Sequence, residues 1–203
     1  MEGRVTDAKS AFEAALRFDP GSVEAMHWLA VAENRNGQTT DARALVDRIL
    51  ERHPDNLVAL TDEMEFAADR KDYRIALLAQ LSRMKILSDP PASEYCRLGA
   101  IWIKLSNLAE AEPALLKGIS KDPYSYACNL ELGELYREMR RLSLARDYFE
   151  KVIRLYPDSD VTIYKSLAGI YLSLGDTDSG QSTLRKGRRV FPDDGDLLKA
   201  IPD

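Results

Sequence analysis

Prolines at positions 20, 54, 90, 91, 123, 157 and 192 cut the chain into segments of nearly constant length, with steps of 34, 36, 33, 34 and 35 residues when counted through Pro90. A period in this range marks a chain built from stacked copies of one supersecondary unit, and it restricts the fold more than any other feature of the sequence. Registering the segments on their prolines places Leu29, Leu98, Leu132 and Leu167 in one column and Ala42, Ala76, Ala111 and Ala145 in another. Between prolines the apolar spacing is helical, as in LGELYREM followed by LARDYFEKVIRLYP, with a polar break at Arg140 and Arg141. Each repeat is therefore predicted to be two helices.

Each column has a physical task. An alanine such as Ala42 or Ala145 lets two antiparallel helices approach closely, while Leu98 with Trp102, or Leu132 with Tyr136, fills the layer between neighbouring pairs. Proline ends the second helix. Gly37 and Gly175 stand where the first helix must stop and the chain must turn, a slot suited to a residue free to adopt positive φ. One helix pair cannot bury its apolar face alone, so the stack is the folding unit.

These residues resemble the tetratricopeptide repeat family, whose pattern is followed by Asn129, Leu132-Gly133, Tyr136, Ala145, Phe149, Val152 and Pro157. The resemblance covers nearly the whole chain as a single domain. Full repeats read as 23–56, 57–91, 92–125, 126–160 and 161–194, after a half repeat over 1–22 in which Ala8, Phe12, Ala15 and Pro20 match a second helix. Residues 195–203 read as a further first helix cut short. The resemblance implies an all-α fold, a right-handed superhelix (an alpha-alpha solenoid) of antiparallel helix pairs. One extra residue is expected in the second helix of repeat 57–91, and a kink or late start at Pro113. Gly180 and Gly187 replace expected alanines at about 1 kcal/mol each, which predicts a loose C-terminal repeat.

Composition narrows the function. The chain has 203 residues, 45% of them hydrophobic and 30% charged, with a net charge of −5, an ordinary globular balance and not a basic nucleic-acid surface. The basic cluster Arg185, Lys186, Arg188 and Arg189 closes a helix, where it opposes the helix dipole, and it lacks stacking aromatics, so no nucleic acid is expected. No apolar run reaches the roughly 18 residues of a membrane helix, and MEGRVTDAKSAFEAAL has no basic-then-apolar leader pattern, so no membrane insertion is expected and a cytoplasmic setting is favoured. Cys96 and Cys128 are too few for a disulfide framework and form no CxxC pair, which leaves the redox compartment open. His27, His53, Cys96 and Cys128 do not converge, and no metalloprotease, phosphate-loop or nucleophile-elbow motif is present. No enzymatic activity, cofactor or metal is expected.

In proteins the chain resembles, the first helices line a concave groove that holds a peptide. The matching positions are His27 and Val31, Thr61 and Glu65, Cys96 and Ala100, Leu130 and Glu134, and Lys165 and Gly169, with Arg97 beside them. A subgroup that grips the C-terminal carboxylate of chaperones is disfavoured, because of its clamp positions (here His27, Val31, Asp62, Ser93 and Arg97) only Arg97 agrees. A neighbouring stripe runs Trp28, Val31, Arg35; Asp62, Glu65, Asp69; Arg97, Ala100, Lys104; Glu131, Glu134, Glu138; Ser166, Gly169, Ser173. Its alternating sign predicts a salt-bridge ladder between adjacent helices, or an acidic stripe that recruits a basic peptide. The expected function is a protein-interaction module that binds a protein or peptide. The alternative is an accessory repeat region of a larger enzyme or secretion component. A monomer is expected, with end-to-end stacking through Phe12, Leu197 and Leu198 possible in principle at the cut ends.

Overall fold

The computed structural model describes the backbone of residues 2–200 and the side chains of residues 8–197. All the described regular structure is helical. The chain divides into two compact units, Met1–Asp89 and Pro90–Asp203. The first holds α1 (Glu2–Phe18), α2 (Val23–Arg35), α3 (Thr39–Arg52), α4 (Leu57–Asp69) and α5 (Tyr73–Ile86). The second holds α6 (Ala92–Lys104), α7 (Leu108–Lys121), α8 (Tyr126–Glu138), α9 (Leu142–Leu155), α10 (Val161–Ser173), α11 (Thr177–Val190) and α12 (Gly195–Ala200).

The pairing α2–α3, α4–α5, α6–α7, α8–α9 and α10–α11 follows from one turn used five times. After each first helix the chain reaches a residue with positive φ: Gly37 at 79°, Lys71 at 62°, Ser106 at 58°, Arg140 at 59° and Gly175 at 83°. The next N–H reaches back to the helix, as from Gln38 to the Glu33 carbonyl at 2.9 Å and from Arg141 to the Tyr136 carbonyl at 2.8 Å. This is the six-to-one bond of a Schellman motif, which satisfies carbonyls the helix end leaves open. Gly37 and Gly175 thus hold the role read from the sequence. Three non-glycine residues adopt the same conformation because the repeat geometry demands it.

Second helices stop for a different reason. His53, Asp122, Tyr156 and Phe191 each precede a proline and have φ between −139° and −122°, since the proline ring excludes the helical conformation from the residue before it. Leu87 lacks an adjacent proline and ends α5 with φ −74° and ψ 121°. Helix α5 has 14 residues like α3, α7, α9 and α11. The extra residue of repeat 57–91 therefore lies in the connector after the helix and not within it: Ile86 to Ala92 is spanned by five residues, Arg52 to Leu57 by four. Nor does α7 start late. It begins at Leu108 and continues through Pro113 to Lys121.

Both units are built around the small-residue column. Ala42, Ala76, Ala111 and Ala145 are all fully buried. In the first unit Met26, Ala30, Val46, Ile49 and Ala59 form the core. In the second, Leu115, Leu132, Leu135, Phe149 and Val152 do, joined by Ile163, Leu167 and Ile170. The glycines of α11 have a packing role that the expected looseness missed. A Cβ on Gly180 would lie 3.3 Å from the Ala168 carbonyl oxygen, and one on Gly187 3.0 Å from Tyr164. Leu197, expected to be exposed, is fully buried over Gly187, while Phe12 is partly buried on the first core; the Leu198 side chain lies outside the described residues.

Candidate functional site

In the first unit α2 and α4 carry four of the expected groove residues. Asn56 and Ser22 cap these helices, accepting from the Ala59 and Ala25 N–H groups. The polar groove positions are largely engaged with the protein itself. His27 Nδ1 lies 2.5 Å from Asp62 Oδ2, and burial raises the Asp62 pKa against the lowering effect of His27. Thr61 Oγ1 donates to the Leu57 carbonyl at 2.6 Å and accepts from Arg83. Val31 packs partly on the core and Glu65 is exposed.

In the second unit the first helices α6, α8 and α10 wall two clefts. One, of about 430 Å³, is lined by Ile103 and Lys104 of α6, by Leu130, Glu131, Glu134, Arg137 and Glu138 of α8, and by Asp160, Thr162, Ile163 and Ser166 at the start of α10. The other, of about 480 Å³, shares Arg137, Glu138 and Ser166 and adds Arg140, Leu142, Lys165, Gly169, Ile170 and Ser173. The shared residues make the clefts neighbours along α8. Helical spacing places Glu131, Glu134 and Glu138 on one face of α8, and the absence of a Cβ on Gly169 leaves open space, since nothing lies within 4 Å of where that atom would stand.

The 430 Å³ cleft is acidic, with four carboxylates against two cations. Glu134 pairs with Arg137 of its own helix, whose Nε donates at 2.9 Å, and Arg97 pairs with Glu94 of its own helix at 3.2 Å. These acids and bases bond within a helix, where a ladder between helices was one expectation. Glu131 is different: burial pushes its carboxyl pKa up, Lys104 opposes this and Glu134 reinforces it. Asp160 spends one oxygen on the Thr162 N–H at 2.8 Å, capping α10. In the other cleft Lys165 is held by Asp194 at 2.9 Å and Asp196 at 3.1 Å.

Of the positions expected from the sequence, Leu130 and Glu134 line the acidic cleft, and Lys165 and Gly169 the other. Arg97 and Ala100 line neither. Cys96 is not a surface residue at all: it is buried and joined to Cys128 by a disulfide, a pairing the sequence reading did not foresee. Asp160, Arg137 and Arg140 were not among the expected site residues. Asp160 is recognisable in sequence only as a helix cap, and Arg137 by its place one turn after Glu134. Among the described residues no helix is long and apolar enough to cross a membrane.

Repeated helix pairs joined by Schellman turns and closed by prolines define an α-helical repeat protein of the solenoid class. Models described as tetratricopeptide repeat match residues 1–61 and 127–159. Over these stretches the chain carries tetratricopeptide repeats. It is 23% identical to the Protein CTR9 homolog of Arabidopsis thaliana over 98% of this chain and 19% of that protein. It is 30% identical to human Neutrophil cytosol factor 2 over 48% of this chain and 18% of that protein. The chain thus spans about a fifth of the length of these curated relatives. Among solved structures, PilW, described as a widely conserved type IV pilus biogenesis factor, superposes with a TM-score of 0.82 at 18% identity, covering 98% of this chain and 92% of that one. YrrB, described as a tetratricopeptide protein with an unusual peptide-binding site, gives 0.69 at 17% identity, covering 94% and 97%. These likenesses establish the fold.

Proposed function

We propose that the chain is a protein-interaction scaffold, without catalytic activity of its own, whose second unit holds an extended partner segment along α8. The observation that carries this reading is the pair of adjoining clefts walled by α6, α8 and α10. The acidic one suits a lysine or arginine of the partner near Glu131, Glu134 and Glu138, and the open floor at Gly169 suits a bulkier neighbouring side chain. Arg97 and Ala100 in the second unit, and His27, Val31, Thr61 and Glu65 in the first, are further partner-facing positions, each within its own unit. The repeats work as one monomeric domain with a protein partner and without nucleic acid. Arg188 and Arg189, in the last turn of α11, serve the helix end.

A displayed peptide library panned against the wild-type protein tests the reading. Selected peptides should be rich in lysine and arginine and should bind Glu134→Lys at least about tenfold more weakly, a loss of roughly 1.4 kcal/mol, with melting temperature nearly unchanged. Selection of acidic peptides, or equal binding by the folded variant, overturns it. A second reading rests on the fraction of the relatives covered: because the chain spans 19% of the CTR9 homolog, it is also suited to being one repeat region of a larger assembly or secretion component, with any chemistry outside these residues.

A further inference from the structure

The two cysteines face each other across consecutive repeats. Cys96 lies in the second turn of α6 and Cys128 in the first turn of α8, with Cα atoms 4.9 Å apart. That separation falls within the range a disulfide bridges without moving the backbone. Both side chains are buried, Cys96 at 3% exposure and Cys128 at 0%. The sulfur has a prepared space. A Cβ on Gly118 of α7 would stand 2.3 Å from Cys128 Sγ, so the helix that runs between α6 and α8 carries no side chain where the bridge passes. Around the bridge, Ser125 Oγ is 3.4 Å from Cys96 Sγ and the Ala92 carbonyl 3.9 Å from Cys128 Sγ. Elsewhere the repeat puts His27 and Ala59 at the equivalent places, so the link is an addition to the repeat and not part of it.

We propose that the Cys96–Cys128 bond is a structural staple formed as the chain folds in an oxidising compartment, and that the second unit reaches its working stability only with the bond made. The step balances with a disulfide oxidant, either a dithiol–disulfide oxidoreductase or oxidised glutathione. One cysteine thiolate attacks the oxidant's S–S bond and expels a thiolate, and the second cysteine thiolate then attacks the mixed disulfide and expels the other. The two cysteines lose two protons and two electrons, and the oxidant leaves as two thiols. Exchange needs an exposed thiolate, and both sulfurs are buried in the folded unit. The bond therefore closes before the repeats pack and resists reduction afterwards, which makes it a permanent tie and not a reversible sensor. Disulfides of this kind persist in secreted and periplasmic settings, whereas the sequence leads to the expectation of a cytoplasmic one. The tie joins α6 and α8, two of the helices that also wall the acidic cleft. The inference stands independently of the peptide reading.

The test uses the full chain refolded in a glutathione redox buffer. Denatured in guanidinium without reductant, it should show no free thiol by a chromogenic disulfide reagent. Incubated folded with a phosphine reductant it should stay oxidised, whereas reduction while unfolded, followed by refolding with the thiols kept reduced, should lower the melting temperature by about 10 °C. The Cys96→Ala, Cys128→Ala double variant should melt near the reduced wild type and ignore the reductant; if that variant does not fold, the comparison of oxidised and reduced wild type carries the test alone. Two titratable thiols after refolding in the redox buffer, or oxidised and reduced forms melting together, would overturn the proposal.

Discussion

Three glycines of first helices should respond to the same substitution with different signs. Replacing glycine by alanine inside a helix stabilises by about 0.8–1.0 kcal/mol where the added methyl is free. Gly169 is exposed and has no heavy atom within 4 Å of the new Cβ, so Gly169→Ala should gain nearly all of this and raise the melting temperature by about 2–4 °C. At Gly133 the Cβ would stand 3.2–3.3 Å from three ring atoms of Phe149, which is fully buried. The ring must shift by a few tenths of an ångström, and the gain and the strain should nearly cancel. At Gly99 the Cβ would stand 2.4 Å from Leu115 Cγ and 2.5 Å from its Cδ2. Carbon atoms settle at about 3.5–4.0 Å, so the overlap is about 1 Å, and Leu115 is fully buried with nowhere to withdraw. Overpacking costs about 1–3 kcal/mol, and an overlap of about 1 Å on a buried side chain belongs in the upper part of that range, about 2–3 kcal/mol, so Gly99→Ala should lose about 1–2 kcal/mol after the helix gain is counted. Urea and thermal unfolding followed by circular dichroism read the order directly. In Gly99→Ala, Leu115→Ala the two losses should sum to less than their parts, since the second change removes the clash. Three equal shifts, or a Gly99→Ala protein as stable as the parent, would refute the packing argument.

Other consequences are open to measurement. Arg140→Gly, which relieves a non-glycine residue at φ 59°, should stabilise by about 0.5–1 kcal/mol, and Gly37→Ala, at φ 79°, should destabilise by about 1–2 kcal/mol, both read from urea midpoints. The Tyr171 hydroxyl, pushed up to about 12 first by burial and then by its hydrogen bond to Glu150, should remain protonated well beyond the ordinary tyrosine range in an ultraviolet titration. Its folded-state pKa lies above the unfolded value, so its contribution to stability is complete below about pH 10 and is lost as the pH rises through 12; Tyr171→Phe should flatten that alkaline loss. Glu131 is also shifted upward, by burial, so its ionised form is disfavoured in the folded chain and its stability contribution falls as pH rises through that raised pKa. Glu131→Gln should therefore raise the melting temperature at pH 7 by an amount that vanishes in acid, while weakening basic peptides.

How far the sequence reached depends on whether a feature is repeated. Prolines, the alanine column and the apolar spacing report the helix pairs because each repeat states them again; the turns at Gly37, Gly175 and Arg140 fall where the sequence indicated, and those at Lys71 and Ser106 carry no such mark. Single events were harder to read. The extra residue of repeat 57–91 sits in the connector after Leu87, where no adjacent proline fixes the end of α5, and counting from either side placed it wrongly. The acidic cleft was partly legible, since a three-then-four spacing puts Glu131, Glu134 and Glu138 on one face. The partners of those carboxylates were not, because side chains on neighbouring turns and neighbouring helices compete for the same cation, and distance decides: Arg137 takes Glu134 at 2.9 Å.

The repeating unit was legible from the residues alone: a first helix, a turn, a second helix and a proline, stacked by small and large apolar columns. These are local rules, set by backbone sterics and helical periodicity, and they act wherever the residues stand. What passes between one helix and the next came from packing in three dimensions. Cys96 joined Cys128 because Gly118 left room, Leu197 closed over Gly187, and Leu115 filled the place beside Gly99. Each of these depends on how far one helix is rotated and displaced against another. Those quantities are fixed by the packing of many side chains at once and by no residue alone.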